Sequence, residues 1–273
     1  MLSKITPILL TFNESPNIAR TLAKLDWADE IIVVDSFSTD DTVEIVRSFP
    51  NTRVIQHAFE SHASQWNFAI HETGVKTEWS MALDADYVLT DGLIEELRRL
   101  EPKPGVGGYR ASFVFCVFGK RLRGSIYPPV TLLYRPEQAD YREDGHTMRV
   151  SFPGEVLELT APILHDDRKP MDIWLRAQHR YMSLECKLVR ETPWKELNWP
   201  DRLRKMRVVA PFAALIWCLF IKGAILHGKA GFFYAYQRTT AELILSLQLL
   251  FHDLSTEAAE DEGRRSDQPV SSA

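Results

Sequence analysis

The 273-residue chain has three cysteines, Cys116, Cys186 and Cys218. They are odd in number, far apart and without a Cys or His at metal-ligand spacing, which excludes a disulfide framework and argues against a structural zinc site. Glycine is scarce where a dinucleotide cradle would need it: Thr11–Arg20, following the first apolar run, contains none, and no Walker-type loop occurs anywhere. A bound nucleotide must then be held by side chains and metal. No apolar run reaches the roughly twenty residues of a membrane span; the longest, Val208–Ile221, ends at Lys222. Met1–Lys4 leads at once into Ile5–Leu10, too short for the apolar core of a secretory leader, so a cytoplasmic protein is expected.

Charge is unevenly spread. Residues 1–167 hold 16 Lys and Arg against 25 Asp and Glu, residues 168–238 hold 14 against 5, and residues 239–273 hold 2 against 7. An acidic front half argues against nucleic acid as a partner, because its phosphates dominate such binding. A basic, apolar back half suits an anionic membrane surface.

Short apolar runs alternate with helical spacing over the first hundred residues. Strands are expected at Ile5–Leu10, Glu30–Asp35, Arg53–Gln56 and Trp79–Leu83. Helices are expected after Ser15-Pro16, over Thr42–Ser48, Ser61–Thr73 and Thr90–Leu100. That alternation predicts an α/β fold around a mostly parallel sheet. Tyr109–Phe118, Val130–Tyr134 and Val150–Thr160 read as further extended segments, and from Met171 the chain is helical. Three regions follow: a catalytic domain over 1–170, a basic and apolar helical region over 171–255, and a disordered tail over 256–273.

Ligands of open parallel sheets bind beyond the carboxyl ends of the strands, where this chain collects polar residues. The first strand ends in Thr11-Phe12-Asn13-Glu14, the second in Asp35-Ser36, the fourth in Asp84-Ala85-Asp86. In an extended chain residues i and i+2 point the same way, so the Asp84 and Asp86 carboxylates repel unless a cation joins them. Mg²⁺ or Mn²⁺, which keeps water and phosphate oxygens as its other ligands, suits that pair. Asp35 is suited to a base NH or a ribose hydroxyl, Thr11 and Asn13 to a base edge.

Thr11-Phe12-Asn13-Glu14, Val33-Val34-Asp35-Ser36-Phe37-Ser38-Thr39-Asp40 and Leu83-Asp84-Ala85-Asp86 resemble the family 2 glycosyltransferases of the GT-A fold. Gln65-Trp66-Asn67-Phe68-Ala69 falls where that family has an Asn-containing helix. Gly145-His146, His165-Asp166-Asp167-Arg168 and Gln178-His179-Arg180-Tyr181 extend the similarity toward lipopolysaccharide core glycosyltransferases. The resemblance implies a Rossmann-like sheet and inverting transfer from a nucleotide-sugar donor, usually a UDP-sugar. Thr11, Asn13, Glu14, Asp35, Asn67 and Asp84 would bind nucleotide, and Asp86 with Asp84 would bind metal. It also implies a lipid-linked saccharide acceptor at the cytoplasmic face of the inner membrane. Related enzymes draw their base from an acidic pair after the sheet's second half, which here is Glu143-Asp144; Asp144 is expected as base, with Glu143 as the alternative. His146, His165, Asp166, Arg168 and Arg180 are candidates for metal, phosphate or acceptor. Tyr87 and Trp66 depart from the family pattern, and the second removes a basic residue expected before Asn67.

Two rival readings remain at this point. Met81–Val88 also resembles the nucleophile loop of haloacid-dehalogenase-like phosphatases, with Asp84 as nucleophile. A non-enzymatic membrane adaptor is the other; it would have no need of carboxylates at three strand ends.

Overall fold

The computed structural model describes residues 1–124, 128–144 and 147–266, with the backbone alone for Asp144, Thr147, Asp261, Glu262, Gly263, Arg265 and Ser266. Residues 1–170 and 171–273 form two compact units.

In the first unit, β1 (Ile5–Thr11), α1 (Ile18–Leu22), β2 (Ile31–Asp35), α2 (Thr42–Arg47), β3 (Thr52–Gln56), α3 (His62–His71) and β4 (Trp79–Asp84) alternate as expected. They are followed by β5 (Tyr87–Leu89), α4 (Asp91–Arg99), β6 (Val106–Ala111), β7 (Phe113–Val117), β8 (Lys120–Arg121) and β9 (Val130–Tyr134). The unit ends with β10 (Asp140–Asp144), β11 (Thr147–Ser151), β12 (Glu155–Glu158) and β13 (Ile163–His165). Seven strands make the main sheet, in the order β12-β6-β9-β4-β1-β2-β3. Only β9 runs against its neighbours, so the sheet is mostly parallel, as the sequence predicts. A smaller sheet has the order β5-β13-β7-β8, and β10 pairs with β11 as a hairpin.

Both faces of the main sheet are covered, which is why its central strands are continuous apolar runs. Alternate residues go to opposite faces. Leu9, Ile31, Val33 and Leu83 pack with Ile18, Leu22 and Leu25 around α1 and with Leu93 and Leu97 of α4. Ile8, Ile32, Val34 and Ala82 pack on the other side with Ala63, Trp66, Ala69 and Ile70 of α3. Each such Leu or Ile, fully buried, contributes roughly 1.5–3 kcal/mol. Side-chain caps fix two helix starts: Ser61 accepts from the Ser64 N–H and Thr90 from the Leu93 N–H. The first helix differs from expectation. It begins after Asn17, not at Ser15-Pro16, because the Asn17 and Ile18 N–H groups both donate to the Glu14 carbonyl and make a turn there first. Tyr109–Phe118 is two strands broken at Ser112, and the two enter different sheets.

The second unit is helical: α5 (Met171–Glu191), α6 (Trp199–Lys205), α7 (Val209–Ile216) and α8 (Lys229–Ser266). A π turn over Trp217–Ile221 and a 3₁₀ turn over Ala224–His227 join the last two. Among the described residues no helix is long and apolar enough to cross a membrane. Met182, Cys186 and Val189 of α5 pack on Ala241, Leu245 and Leu249 of α8. Helix α8 runs eleven residues into the expected tail, from 256 to 266; Glu257, Ala258, Ala259 and Glu260 are strong helix formers, and Glu260 pairs with Arg264 one turn on.

Four cations of the basic back half, Arg202, Arg204, Lys205 and Arg207, are half-buried and bond within the helical unit. Arg204 bonds Glu185, Asp201 and Glu242 at 2.6–3.2 Å, and its guanidinium is held charged by those carboxylates against the cost of burial. Arg207 bonds both carboxylate oxygens of Asp253. Lys205 donates to the Thr192 carbonyl, and Arg202 to those of Trp194 and Lys195. The partners lie up to 46 residues away in sequence, which is why a charge count along the chain does not reveal them.

Candidate active site

Register brings the acidic rim together. Thr11, the last residue of β1, faces Asp35, the last of β2, and Leu10 faces Asp84, the last of β4. The Asp35 carboxylate is fully buried and accepts from the Thr11 hydroxyl at 3.1 Å, from the Ser38 N–H at 2.9 Å, from the Ser38 hydroxyl and from Gln56 at 3.4 Å. Asn13 takes a left-handed φ of 55°, a conformation Asn tolerates. Its N–H donates to Ser38 at 2.9 Å and its side-chain oxygen accepts from the Thr39 N–H at 2.8 Å. Thr11, Asn13 and Asp35 therefore interlock the loops after β1 and β2, and a nucleoside contact from Asp35 would share bonds already made within the protein.

The Asp84-Ala85-Asp86 turn is clamped from two sides. The buried Thr21 hydroxyl of α1 donates to the Ala85 carbonyl at 2.7 Å, and the Asp166 N–H donates to the Asp86 carbonyl at 3.1 Å. Strand β13 pairs antiparallel with β5, setting His165 opposite Tyr87. That places His165 Nε2 3.0 Å from the Asp86 carboxylate. Burial works against charge on both groups, yet His165 by its charge and hydrogen bond, with Lys169 nearby, holds Asp86 below the usual carboxylate range. Burial lowers the His165 imidazole most, but the charge and hydrogen bond of Asp86, with the charges of Asp84 and Asp167, together raise it above its ordinary value. Burial, and next the Asp86 charge, push Asp84 up. Two neighbouring oxygen donors, one pushed toward protonation by burial and by the charge of the other, fit a hard divalent cation. Among the described residues no cluster of three or more His, Cys, Asp or Glu could hold a metal, so such a cation would take its remaining ligands from water and donor phosphates.

Residues 165–169 form a further polar layer beside this turn. Asp166 accepts from the Gly119 N–H at 3.1 Å and from Arg168 Nε and Nη2 at 2.9 and 2.6 Å. Asn17, fully buried, donates to Asp167 and Glu14 at 2.9 Å and accepts from the Arg168 N–H. Lys169 pairs with Glu14. Burial opposes the Lys169 charge, but Glu14, Asp86 and Asp167 raise its ammonium and keep it protonated. Arg20 donates to the Asp166 carbonyl at 2.6 Å. Asn17, Arg20, Thr21 and Lys169 carry no motif of their own and escape a reading of the sequence; the one available signal is that Lys169 directly follows the His165–Arg168 segment.

Other expected residues lie differently. Asn67 donates to the Tyr141 carbonyl at 2.9 Å and accepts from its N–H at 2.8 Å. The amide thereby clamps α3 to β10, and a nucleotide contact from Asn67 would compete with these two bonds. Glu143 accepts from the Ala63 N–H at 2.7 Å, in the first turn of α3. The side chain of Asp144, the last residue of β10, lies outside the described residues, as does His146. Arg180 belongs to the second unit, over the Tyr181 ring at 5.3 Å.

A parallel-sheet rim bearing carboxylates at three strand ends, without a glycine cradle, defines the class, and comparison with known proteins supplies the family. The glycosyl transferase family 2 profile matches residues 7–153, and the chain belongs to that family. An uncharacterised glycosyltransferase of Rickettsia prowazekii is 36% identical over 97 residues, 35% of this chain and 32% of that protein. The lipopolysaccharide core biosynthesis glycosyltransferase LpsC of Rhizobium meliloti is 28% identical over 100 residues, 35% of this chain and 36% of LpsC. The chain spans about a third of the length of these curated relatives. Among solved structures, S. aureus TarS 1–349 in complex with UDP-GlcNAc superposes with a TM-score of 0.46 and 13% identity, covering 88% of this chain and 90% of that one. Membership of family 2 leaves the phosphatase and adaptor readings without support.

Proposed function

We propose that the protein transfers a sugar, with inversion at the anomeric carbon, from a nucleoside diphosphate sugar to a lipid-linked saccharide. A UDP-sugar is the expected donor, and lipopolysaccharide core at the cytoplasmic face of the inner membrane the expected acceptor. The observation that carries the reading is the Asp84-Ala85-Asp86 turn beside the Thr11–Asp35 pair in a family 2 chain. The likeness to LpsC supports the acceptor class.

Asp84 and Asp86 would hold Mg²⁺ or Mn²⁺, which when bound neutralises charge on the leaving diphosphate. Asp144 is the proposed base. It takes the proton of the acceptor hydroxyl as that oxygen bonds the anomeric carbon and the bond to the diphosphate breaks, through an oxocarbenium-like transition state. Glu143 is the weaker candidate, since its carboxylate already accepts from the first turn of α3. His165 keeps Asp86 ionised, and Lys169 holds Glu14 at the same rim.

Calorimetry with UDP-, GDP- and dTDP-sugars, with and without Mn²⁺, tests the reading. One donor should bind only with the metal, and Asp86→Ala should abolish that binding with circular dichroism unchanged. Asp144→Asn should keep donor affinity and lose most transfer. A chain that binds no nucleotide sugar would overturn the proposal; loss of transfer in Glu143→Gln but not Asp144→Asn would exchange the two roles.

A further inference from the structure

From Arg202 to Ala241 the chain has seven basic residues and no acidic one. Four of the seven, Arg202, Arg204, Lys205 and Arg207, bond within the helical unit. Of the other three, Arg238 lies within α8, while half-buried Lys222 and exposed Lys229 flank the end of a hairpin. Helix α7 continues into the π turn and reverses at Gly223, whose φ of 68° suits glycine. The 3₁₀ turn then meets α8 directly: a Cβ on Gly231 would lie 1.7 Å from the Ala224 carbonyl oxygen. Ala210, Pro211, Cys218, Leu219 and Ala224 are buried in this hairpin. Its other side is apolar and uncovered. Phe212, Ile216 and Phe220 stand four residues apart and are 57–68% exposed; Ile221 and Leu226, at the tip, are 63% and 79% exposed.

We propose that this tip inserts into the headgroup–acyl boundary of an anionic bilayer. Phe212, Ile216, Phe220, Ile221 and Leu226 enter the apolar layer, and Lys222 and Lys229 meet the lipid phosphates. Three observations select a bilayer. The tip carries Lys222 and Lys229 with no acidic residue between Arg202 and Ala241, which matches an anionic surface in charge. Val209–Ile221 rises only about 20 Å at 1.5 Å per residue, against about 30 Å of hydrocarbon, so the hairpin enters one leaflet without crossing. Trp217 lies between the buried and uncovered sides, 42% exposed with the Lys222 ammonium 6.0 Å over its ring. An amphipathic ring and a snorkelling lysine at that level are what an interface stabilises. A second copy of the same tip would instead bring the two lysines of each against those of the other. The surface stands on these residues alone and is independent of the donor chemistry.

The test uses the full chain and sedimentation with vesicles of phosphatidylcholine, with or without phosphatidylglycerol. Binding should be strong only with phosphatidylglycerol. Lys222→Gln with Lys229→Gln should weaken it about 25-fold, from about fivefold for each lysine. Phe220→Glu with Leu226→Glu should reduce partition at least about tenfold, because carboxylates resist the apolar layer. The three native cysteines are buried, so an environment-sensitive fluorophore on Leu226→Cys reports the tip alone and should shift to the blue only with vesicles. The proposal fails if the unmodified chain stays in the supernatant, or if the double glutamate variant sediments like it. It fails equally if sedimentation equilibrium without lipid finds a dimer that the glutamates make monomeric, which would show a second copy on this face.

Discussion

Thr21 shows how a residue without chemistry of its own can set a site. Its hydroxyl is buried and donates to the carbonyl between the two aspartates of the metal-binding candidate turn. Thr21→Val keeps the volume and leaves that carbonyl unpaired, a cost of about 1–3 kcal/mol. We expect the thermal midpoint to fall by several degrees and metal-dependent donor affinity to drop several-fold, with Thr21→Ser restoring both. Unchanged donor affinity in calorimetry would show that the turn holds its shape without the clamp. Asp84, Asp86, Thr11 and Asp35 were legible in sequence because they end apolar runs and share a rim. Thr21 and the His165–Asp86 pair were not: the first is one threonine in a helix, and the second joins residues 79 apart through a strand pairing.

Elements were legible wherever a local pattern sufficed. Strands buried on both faces read as apolar runs, and capped helices began at Ser61 and Thr90 as expected. Strand β5 was not visible, being three residues long and existing only because β13 pairs with it. The bonding of the cations before α7 was hidden for a related reason, since the carboxylate partners of Arg204 and Arg207 come from α5, α6 and α8. Arg204 is the test of that arrangement. Arg204→Met would leave the buried Glu185 and Asp201 carboxylates without their cation. Breaking a buried pair on one side costs about 3–5 kcal/mol, so the thermal midpoint followed by circular dichroism should fall by several degrees. Arg202→Gln, which loses only bonds to two carbonyls in an exposed setting, should move it little. Equal shifts would refute an internal role for Arg204.

At the scale of the molecule the sequence carries its division of labour as charge. The acids gather in the unit with the strand-end rim, and the acid-free stretch belongs wholly to the helical unit. Under the proposed function, donor binding would need only the rim, and meeting a lipid-linked acceptor would need a bilayer. If the tip of the helical unit holds the enzyme there, enzyme and acceptor search a surface instead of a volume, and the effective concentration of acceptor rises. Hydrolysis of the donor by water should then proceed at the same rate with or without anionic vesicles. Transfer to truncated lipopolysaccharide core carried in those vesicles should be at least about tenfold faster than to the same saccharide freed of its lipid, in the range linked binding commonly reaches. Phe220→Glu with Leu226→Glu should remove that advantage while leaving donor hydrolysis untouched, since neither residue belongs to the rim. Should the glutamates slow hydrolysis and transfer alike, the tip would be serving the fold of the catalytic unit and not its place on the membrane.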